Sequence, residues 1–322
     1  MRYVIAGAGG FIGSHLAHAL LALGHEVVGV DRLGEPRLQA AWNELRGQSQ
    51  FVPVESDLLD VDLDATVAGA SAVFNLAGRG GYLLSWESPE DFERDNVTAA
   101  IALARACSRR RVGLIQASSS SVLGARATGD ENATTLPCSP YGDGKARAER
   151  ALLTAESAQS TVVLRFFSVY GSRQRPEMGI YRAIDSALGG LPFHILGDGE
   201  HRRSFTHVSD AVVAMIVAAK RGRGGDIYHI GRSNTHTMKD VLSLVGRLAG
   251  HAVPVAAVPD QRGNQTVTEC VGVKARRTLG FVARTSLAAG LAEQYSWQRE
   301  RQIIDIRSSV AEPAQARIGE GS

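Results

Sequence analysis

The chain has 322 residues, 44% of them hydrophobic, which is enough for one large or two modest domains. Its formal net charge is only +2, so no strong field directs it to nucleic acid or to a membrane surface. The longest apolar run, residues 211–219, is far too short to cross a bilayer and is better explained as a buried helix.

The chain opens with a pattern of strand, glycine turn and helix. Residues 3–6 form a continuous apolar run, typical of a strand buried on both faces of a parallel sheet. Gly7, Gly10 and Gly13 follow, and residues 15–23 continue as a helix. Its predicted apolar face comprises Ile12, Leu16, Ala19, Leu20 and Leu23. Such a turn lets the backbone approach a pyrophosphate at a helix N-terminus, although an ordinary glycine-rich turn would look similar.

The second and third strands end in acidic residues. Residues 26–30 lead into Asp31, at the distance where a carboxylate meets the adenosine ribose. A carboxylate there accepts from a 2′-hydroxyl and repels a 2′-phosphate, so NAD is favoured over NADP. The neighbouring Arg32 weakens this argument, because its guanidinium could tolerate the phosphate. Asp57 follows the strand over residues 50–54 and either contacts adenine or caps a helix.

Strands and helices continue to alternate through the first half of the chain. After a helix around residues 40–45, strands are predicted over 72–76, 113–117 and 162–167, and helices over 91–110 and 139–157. This alternation predicts an α/β fold, with a Rossmann-type doubly wound parallel sheet over residues 1–168.

The second half of the chain contains more glycine and proline residues, which interrupt helices and strands. Residues 169–307 are predicted to form mainly a smaller C-terminal α/β substrate domain, with a returning segment near 205–232. Its helices are expected over 179–188, 210–220 and 237–248, and its strands over 193–196, 227–230 and 253–258. The polar tail, 308–322, is predicted to be disordered.

Other features favour structural explanations. The three cysteines, Cys107, Cys138 and Cys270, are unclustered and lack metal-ligand spacing, which is typical of reduced thiols in the cytoplasm. Met1 leads directly into a strand, so we expect no secretory signal. The basic run Arg109–Arg111 fits a solvated helix end. We therefore expect a cytoplasmic protein with no metal site.

Tyr141 and Lys145 are four residues apart at the start of an alanine-rich helix. They would share a helix face, and the ammonium would lower the pKa of the phenol until it can act as a base toward an alcohol. A tyrosine and a lysine at this spacing are more often plain surface residues. The intervening Gly142 and Gly144 fit better at a helix start pressed against a ligand. Residues 118–121 are serines at a strand end, suited to bind the same alcohol or simply to form a polar turn.

Over about residues 1–300, the chain resembles an extended short-chain dehydrogenase/reductase of the NAD-dependent epimerase/dehydratase family, which acts on nucleotide sugars. The motifs that carry this resemblance are Gly7-x-x-Gly10-Phe-Ile-Gly13-Ser-His-Leu, Asp31, Asp57-Leu58, Asn75-Leu-Ala-Gly78, Asn96, Ser118-Ser-Ser-Ser-Val-Leu-Gly124, Tyr141-x-x-x-Lys145, Leu164-Arg-Phe-Phe-Ser-Val-Tyr-Gly171 and Arg202-Arg-Ser-Phe-Thr-His-Val208.

The resemblance implies bound NAD, a catalytic group of Tyr141, Lys145 and Ser119, and a nucleoside diphosphate sugar, with a UDP-sugar expected. The implied NAD-binding residues are Gly7, Gly10, Phe11, Ile12, Gly13, Asp31, Arg32, Asp57, Leu58, Leu76, Ala77, Gly78, Asn96, Ser118, Tyr141 and Lys145. The implied substrate-binding residues are Ser85, Ser119, Ser120, Ser168, Arg175, Arg203 and Arg262. It also implies a homodimer built from the helices over 91–110 and 139–157.

Within the family, dehydratases and decarboxylases usually carry an acid directly after the catalytic hydroxyl, whereas this chain has Ser120 and Ser121. This difference favours a 4-epimerase, and Arg175-Pro-Glu-Met-Gly179 resembles the corresponding stretch of UDP-glucuronate 4-epimerases. A dehydratase, a decarboxylase or a one-way ketoreductase is the alternative, and a non-enzymatic NAD-binding regulator is a third. Departures from the family pattern, expected on the substrate side, are Leu123, Ser168, Ser204 and Asn264.

Overall fold

The main sheet is built from seven parallel strands. A computed structural model describes residues 1–311. The strand order is β12-β7-β5-β4-β1-β2-β3. These strands are β1 Arg2–Ala6, β2 Glu26–Asp31, β3 Phe51–Glu55, β4 Ala72–Asn75, β5 Leu114–Ser119, β7 Thr161–Phe166 and β12 Ile227–Ile230. The order reverses beside β1, where Val4 pairs with Val28 of β2 on one side and Val73 of β4 on the other. The doubly wound α/β fold predicted from the sequence is confirmed, and its switch point opens a crevice at the carboxyl ends of β1 and β4.

Helices cover both faces of this sheet because alternate strand residues point in opposite directions. Tyr3 and Ile5 of β1 join the apolar cluster under α1, α2 and α9, whereas Val4 and Ala6 join the cluster under α3, α6 and α7. The bounds of these helices are α1 Phe11–Ala22, α2 Pro36–Arg46, α3 Leu63–Val67, α6 Ala99–Arg110, α7 Pro140–Leu152 and α9 Val208–Arg221. The predicted apolar face of α1 was wrong at its end, because the helix stops at Ala22 and Leu23 is 57% exposed.

The helix predicted over 91–110 has a widened turn in its first half. Short helices α4 Leu84–Glu87 and α5 Pro89–Glu93 precede a π-helical turn at Arg94–Thr98, which continues into α6. Such turns recur at functional sites. The basic run closes α6 as predicted, and both Arg109 and Arg110 pair with Asp64 on the surface.

The remaining strands lie outside the main sheet, in smaller sheets. These strands are β6 Arg126–Ala127, β8 Val169–Tyr170, β9 Phe193–Leu196, β10 Arg202–Ser204, β11 Thr206–His207, β13 Thr235–Thr237, β14 Val255–Val258 and β15 Val267–Thr268. The remaining helices are α8 Gly179–Gly189, α10 Met238–Ala249 and α11 Leu287–Ala311, and short 3₁₀ or π turns lie at Ser120–Leu123, Ala155–Ser160 and Ala275–Leu279. The division into domains at residue 168 stays a prediction.

The last helix, α11, was missed by the sequence analysis. Its buried stripe mixes Leu287 and Leu291 with Gln294 and Gln298, so it lacks a clean apolar period. The burial of Gln294 is tolerated because its side-chain oxygen accepts a hydrogen bond from the Gly171 amide at 2.9 Å. Residues 308–311 continue this helix where disorder was predicted, and residues 312–322 lie outside the described residues. Within residues 1–311, no helix combines the length and apolarity needed to cross a bilayer.

Candidate active site

The glycine turn between β1 and α1 is packed against the end of β4. Gly7 has φ +81°, and a Cβ there would lie 2.8 Å from the carbonyl of Leu76 and the amide of Ala77. A Cβ on Gly13 would lie 2.0 Å from the carbonyl oxygen of Gly7. Both glycines are therefore required by the turn itself. A Cβ on Gly10 would meet only Gly7 within 4 Å, which leaves open the space where a pyrophosphate is predicted.

Two further residues predicted to contact the cofactor, Phe11 and Ile12, form the first turn of α1. Both are partly buried against the core. Their side chains thus help to anchor the helix, and it is their backbone amides, at the N-terminus of α1, that are available to an anion.

Asp31 lies at the edge of this turn, where β2 ends. Its carboxylate accepts hydrogen bonds from the Gly9 amide at 2.9 Å and from the Leu33 amide at 3.1 Å. Burial raises the pKa of Asp31, and the two amides oppose that rise. The carboxylate is thus fixed beside the glycine turn, where the ribose of a dinucleotide is expected.

The neighbouring Arg32 does not pair with Asp31 but with two other carboxylates. It donates to Asp95 at 2.7 Å, and a longer contact of 3.4 Å joins it to Asp57. Asp57 accepts from the Leu59 amide at 2.9 Å in a turn, whereas α3 is capped by Asp62. The helix-cap alternative for Asp57 was therefore wrong, and its contact with adenine stays a prediction. The side chain of Leu58 packs into the core, so a contact with the cofactor would have to use its backbone.

The loop after β4 meets the π-helical turn at Gly78 and Asn96. Gly78 has φ +141°, and a Cβ there would lie 2.4 Å from Asn96 Oδ1. The amide nitrogen of Asn96 donates to the Arg79 carbonyl at 3.0 Å. Its Oδ1 is buried and finds no hydrogen-bond donor among the described residues. An orphan acceptor beside the crevice fits a polar ligand such as a dinucleotide, because burying it without a donor is costly.

The catalytic group predicted from the sequence assembles where β5 ends and α7 begins. The Ser139 hydroxyl caps α7 by accepting from the Gly142 amide at 3.2 Å, which places Tyr141 in the first helical turn. The Ser119 hydroxyl lies within hydrogen-bonding reach of the Tyr141 phenol, and it also donates to the Ser121 hydroxyl at 3.1 Å. The Lys145 ammonium, one turn later, donates to the Ala117 carbonyl at 3.3 Å. The structure thus brings a phenol, a hydroxyl and an amine to one edge of the sheet.

Burial dominates the charge states of this group. It raises the pKa of the Tyr141 phenol, while the hydrogen bond from Ser119 and the charge of Arg175 act in the opposite direction. It also lowers the pKa of Lys145 to about 8, against the opposing influence of Glu149. The expected lowering of the Tyr141 pKa is therefore not found in the protein alone, because burial outweighs the opposing influences, and these come from Ser119 and Arg175 and not from Lys145.

The two glycines inside Tyr141–Lys145 lie at the start of α7, as predicted. A Cβ on Gly142 would lie 2.6 Å from the Ser121 carbonyl oxygen, so this position has no room for a side chain. A Cβ on Gly144 would make an ordinary contact of 3.7 Å with Val97. Only Gly142 is therefore a steric necessity, and the contact of this helix start with a ligand stays a prediction.

An ion pair missed by the sequence analysis lies one turn beyond Lys145. Glu149 accepts from Arg165 at 2.7 Å and from the Ser118 hydroxyl at 2.5 Å, and the Glu149 and Arg165 side chains are only 4% and 3% exposed. The Ser118 hydroxyl is therefore engaged with Glu149, so a contact with NAD would have to use its other atoms. The spacing of Lys145 and Glu149 was the available signal, since residues i and i+4 share a helix face.

Three of the predicted substrate residues are arginines, and each has a partner within the protein. Arg175 donates to the Gly80 carbonyl at 3.0 Å and lies close enough to influence the charge of Tyr141. Arg203 donates to Asn264 at 2.9 Å, and burial lowers its pKa to about 10. Arg262 stacks over Trp86, with its guanidinium carbon 3.6 Å from the ring centroid. These contacts hold the three guanidinium groups in place, and their binding to a diphosphate stays a prediction.

Two of the predicted substrate serines are buried. Ser85 is fully buried and donates to the Tyr82 carbonyl at 2.6 Å, so its hydroxyl serves the local turn. Ser120 is also buried, and its carbonyl accepts from Gln265 at 3.3 Å. Neither hydroxyl is presented openly to the crevice, so their predicted contacts with the sugar have less support than those of the arginines.

Two departures from the family pattern point into the interior rather than to the substrate. Leu123 packs in a small apolar cluster with Val122 and Phe167. Ser204 is fully buried and accepts from the Cys270 amide at 2.9 Å. The expectation that all departures lie on the substrate side was therefore wrong for these two. Ser168, whose carbonyl accepts from the Thr206 amide at 3.1 Å, is partly buried, and Asn264 contacts Arg203 as described above.

The fold and this site together define a class of protein. A doubly wound sheet that presents a glycine turn, a fixed carboxylate and neighbouring serine, tyrosine and lysine side chains at one edge is typical of proteins that bind a dinucleotide. The three cysteines, Cys107, Cys138 and Cys270, are free thiols and take no part in this arrangement.

Residues 3–231 match the family described as NAD dependent epimerase/dehydratase, and the chain belongs to this family. It is therefore an enzyme whose cofactor is NAD, as the resemblance predicted. It is 31% identical to YtcB of Bacillus subtilis, an uncharacterized UDP-glucose epimerase, over 92% of this chain and 98% of that protein. It is 30% identical to dTDP-glucose 4,6-dehydratase of Streptomyces niveus, over 94% of both chains. The structure of UDP-glucuronic acid 4-epimerase from Bacillus cereus, in complex with UDP-glucuronic acid and NAD, is 29% identical, with a TM-score of 0.89, over 94% of this chain and 100% of that one.

Proposed function

We propose that the chain is an NAD-dependent nucleotide-sugar 4-epimerase in which Tyr141 is the catalytic base. The observation that carries this proposal is the placement of Tyr141, in the first turn of α7, beside Ser119, at the carboxyl end of β5. The pair stands at the edge of the sheet that also holds the glycine turn. An alcohol bound there would meet a proton acceptor and a hydroxyl donor at once.

The residues of this chain have distinct tasks in the proposed reaction. Bound NAD supplies the acceptor for a hydride from C4 of the sugar and the donor that returns it. Tyr141 takes the proton of the 4-hydroxyl, and Ser119 holds the oxygen through its own hydroxyl. Lys145 would stabilise the phenolate, and the positive charge of a bound nicotinamide would act in the same direction, against the effect of burial on the pKa of Tyr141. The 4-keto sugar then turns, and Tyr141 returns the proton when the opposite face is reduced.

The residues that follow the catalytic hydroxyl favour epimerisation over elimination. Ser120 and Ser121 occupy these positions in place of an acid, and Ser121 is hydrogen-bonded to Ser119 at 3.1 Å. The two carboxylates of α7, Asp143 and Glu149, are paired with Arg147 and Arg165, so neither is free to transfer protons at C5 or C6. A dehydratase is the second candidate, because the Streptomyces niveus relative has that activity in its name.

We further propose a UDP-sugar with a carboxylate at C5 as the substrate. Arg175 lies near Tyr141, and its guanidinium donates to the Gly80 carbonyl at 3.0 Å and pairs with Glu177 at 3.1 Å. A sugar carboxylate bound there would replace Glu177 as the partner of Arg175. A guanidinium fork suits a carboxylate. The UDP-glucuronic acid bound to the Bacillus cereus neighbour supports this choice.

We also propose a homodimer formed through the helix over α5–α6 and through α7. These helices pack side by side on one face of the sheet, so both can meet a second copy at once. Sedimentation analysis of the purified chain should show a single species of twice the monomer mass, and a monomer at micromolar concentration would contradict this arrangement.

The decisive experiment is turnover of UDP-sugars by Tyr141→Phe, with products resolved by chromatography and mass. The wild type should convert UDP-glucuronic acid to its C4 epimer with no change in mass, without added NAD. Tyr141→Phe should lower kcat by roughly 10²–10⁴-fold because the base is lost, while the bound nucleotide is retained. Tyr3→Phe, at the opposite end of β1, is the matched control and should remain active. A product lighter by one water would favour the dehydratase instead.

A further inference from the structure

Asp95 accepts hydrogen bonds from three arginines near the expected cofactor site. It lies in the π-helical turn, is 7% exposed, and accepts from Arg32 at 2.7 and 3.3 Å. It also accepts from Arg79 at 2.8 Å and from Arg94 at 2.7 Å. The contact with Arg32 uses both carboxylate oxygens, which is the strong two-pronged form of this interaction.

These arginines differ in how much they depend on Asp95. Arg94 has a second carboxylate, Asp57, at 2.9 Å, and Arg79 has Asp91 at 3.3 Å. The second contact of Arg32, to Asp57, is 3.4 Å long and is shared with Arg94. Loss of the Asp95 charge would therefore release Arg32 more than the other two.

The position of Arg32 gives this difference a consequence for the cofactor. Arg32 directly follows Asp31, whose carboxylate lies beside the glycine turn and is expected at the adenosine ribose. A free guanidinium next to a ribose is well suited to bind a 2′-phosphate. The Arg32 side chain is 41% exposed, but a buried carboxylate holds both of its terminal nitrogens, so the guanidinium is less free to turn toward such a phosphate.

We propose that Asp95 is a determinant of specificity for NAD over NADP. It holds the guanidinium of Arg32, so that Arg32 does not bind the 2′-phosphate of NADP. Discrimination against NADP then has two parts, repulsion by Asp31 and sequestration of Arg32 by Asp95. This inference rests on the cofactor site of the proposed function, but not on the reaction at C4.

The π-helical turn explains how Asp95 reaches this position. Asp95 and Asn96 are consecutive, both are buried, and both contact the loop after β4, through Arg79 Nε and the Arg79 carbonyl respectively. The widened turn thus presents two successive polar side chains to the crevice.

The test is competition between nucleotides for full-length protein carrying Asp31→Ser, which removes the direct repulsion. Each variant is equilibrated with equal, excess NAD and NADP and desalted, and the retained nucleotides are released and quantified by chromatography. Asp31→Ser/Asp95→Asn should raise the ratio of retained NADP to NAD by roughly tenfold or more over Asp31→Ser alone, as expected for one charge-assisted contact. An unchanged ratio would overturn the proposal.

Two further variants separate Arg32 from a general loss of negative charge. Asp31→Ser/Asp91→Asn removes a carboxylate that pairs with Arg79 only and should leave the ratio unchanged. Adding Arg32→Gln to the Asp31→Ser/Asp95→Asn variant should abolish the gain. A gain that persists without Arg32, or that Asp91→Asn reproduces, would show that net charge and not Arg32 is responsible.

The proposal stays testable if variants at Asp95 do not fold. Asp31→Ser/Arg32→Gln should then retain the same ratio of nucleotides as Asp31→Ser, because Arg32 is already occupied. A fall in retained NADP would show that Arg32 is free to bind the phosphate and would overturn the inference. If the wild type and every folded variant retain neither nucleotide, the cofactor site of the proposed function fails, and this inference fails with it.

Discussion

Glu149 and Arg165 form an ion pair, buried from solvent, one helical turn beyond Lys145. The contact joins α7 to β7, and Ser118 at the end of β5 donates to the same carboxylate. The pair therefore fastens the helix that carries Tyr141 to two strands of the sheet. Its effect on the free energy of unfolding should be large, because removing one partner leaves the other charge buried and unpaired.

Glu149→Gln is expected to lower the free energy of unfolding by about 3–5 kcal/mol, measured by urea denaturation. Arg109→Gln is the matched control, since its pair with Asp64 lies at the surface and contributes little. Equal effects of the two substitutions would show that the buried pair does not fasten α7.

The depressed pKa of Lys145 predicts a pH dependence of stability. Burial lowers this pKa to about 8 from its ordinary value of 10.5, so between these two values the unfolded chain binds a proton that the folded chain does not. Stability should therefore rise with pH through this window, and the penalty of the buried charge should be fully present below it. Urea denaturation of the wild type and Lys145→Met from pH 7 to 10 checks this. The stability of the wild type should rise relative to the variant above pH 8, and parallel curves would contradict the assignment.

The glycines between Tyr141 and Lys145 predict opposite outcomes for the same substitution. Gly142→Ala would place a Cβ 2.6 Å from the Ser121 carbonyl oxygen, so the start of α7 must shift and kcat should fall. Gly144→Ala makes only an ordinary contact with Val97 and should stabilise the helix by roughly 0.5–1 kcal/mol. Thermal unfolding and steady-state turnover of both variants provide the comparison. Full activity of Gly142→Ala would mean that the placement of Tyr141 tolerates this shift.

Substitution of Arg175 is predicted to affect KM for a sugar with a C5 carboxylate more than KM for a neutral sugar. If its guanidinium binds a C5 carboxylate, Arg175→Gln should raise KM for UDP-glucuronic acid by roughly tenfold or more, as for the loss of a charge-assisted hydrogen bond. KM for UDP-glucose, which lacks the carboxylate, should change much less. Steady-state kinetics with both sugars tests this, and an equal rise in both values would assign Arg175 to a part of the substrate that the two sugars share.

Much of the fold was accessible from the sequence because its signals are local. The apolar run of β1, the glycine spacing and the four-residue interval between Tyr141 and Lys145 are each read within a few positions. Helix α11 was not predicted, because the polar residues Gln294 and Gln298 occupy its buried stripe. Their side chains form hydrogen bonds with Gly171, Gln174 and Tyr181, which lie on other elements. A buried polar side chain needs a hydrogen-bond partner, and here that partner lies far away in the sequence. The local sequence pattern does not show which residue it is.

The order of strands and helices along the chain and the place of the glycine turn follow from the sequence alone, because periodicity and short spacings encode them. The choice of Tyr141, Lys145 and Ser119 as the residues that act on an alcohol rests on the resemblance to a known family. Only the tertiary structure shows that Arg32 pairs with Asp95 and that Glu149 pairs with Arg165. It also shows that the side chains of Leu123 and Ser204 are buried in the interior. Such partners lie on separate elements, and packing determines which of many possible charges and apolar surfaces meet.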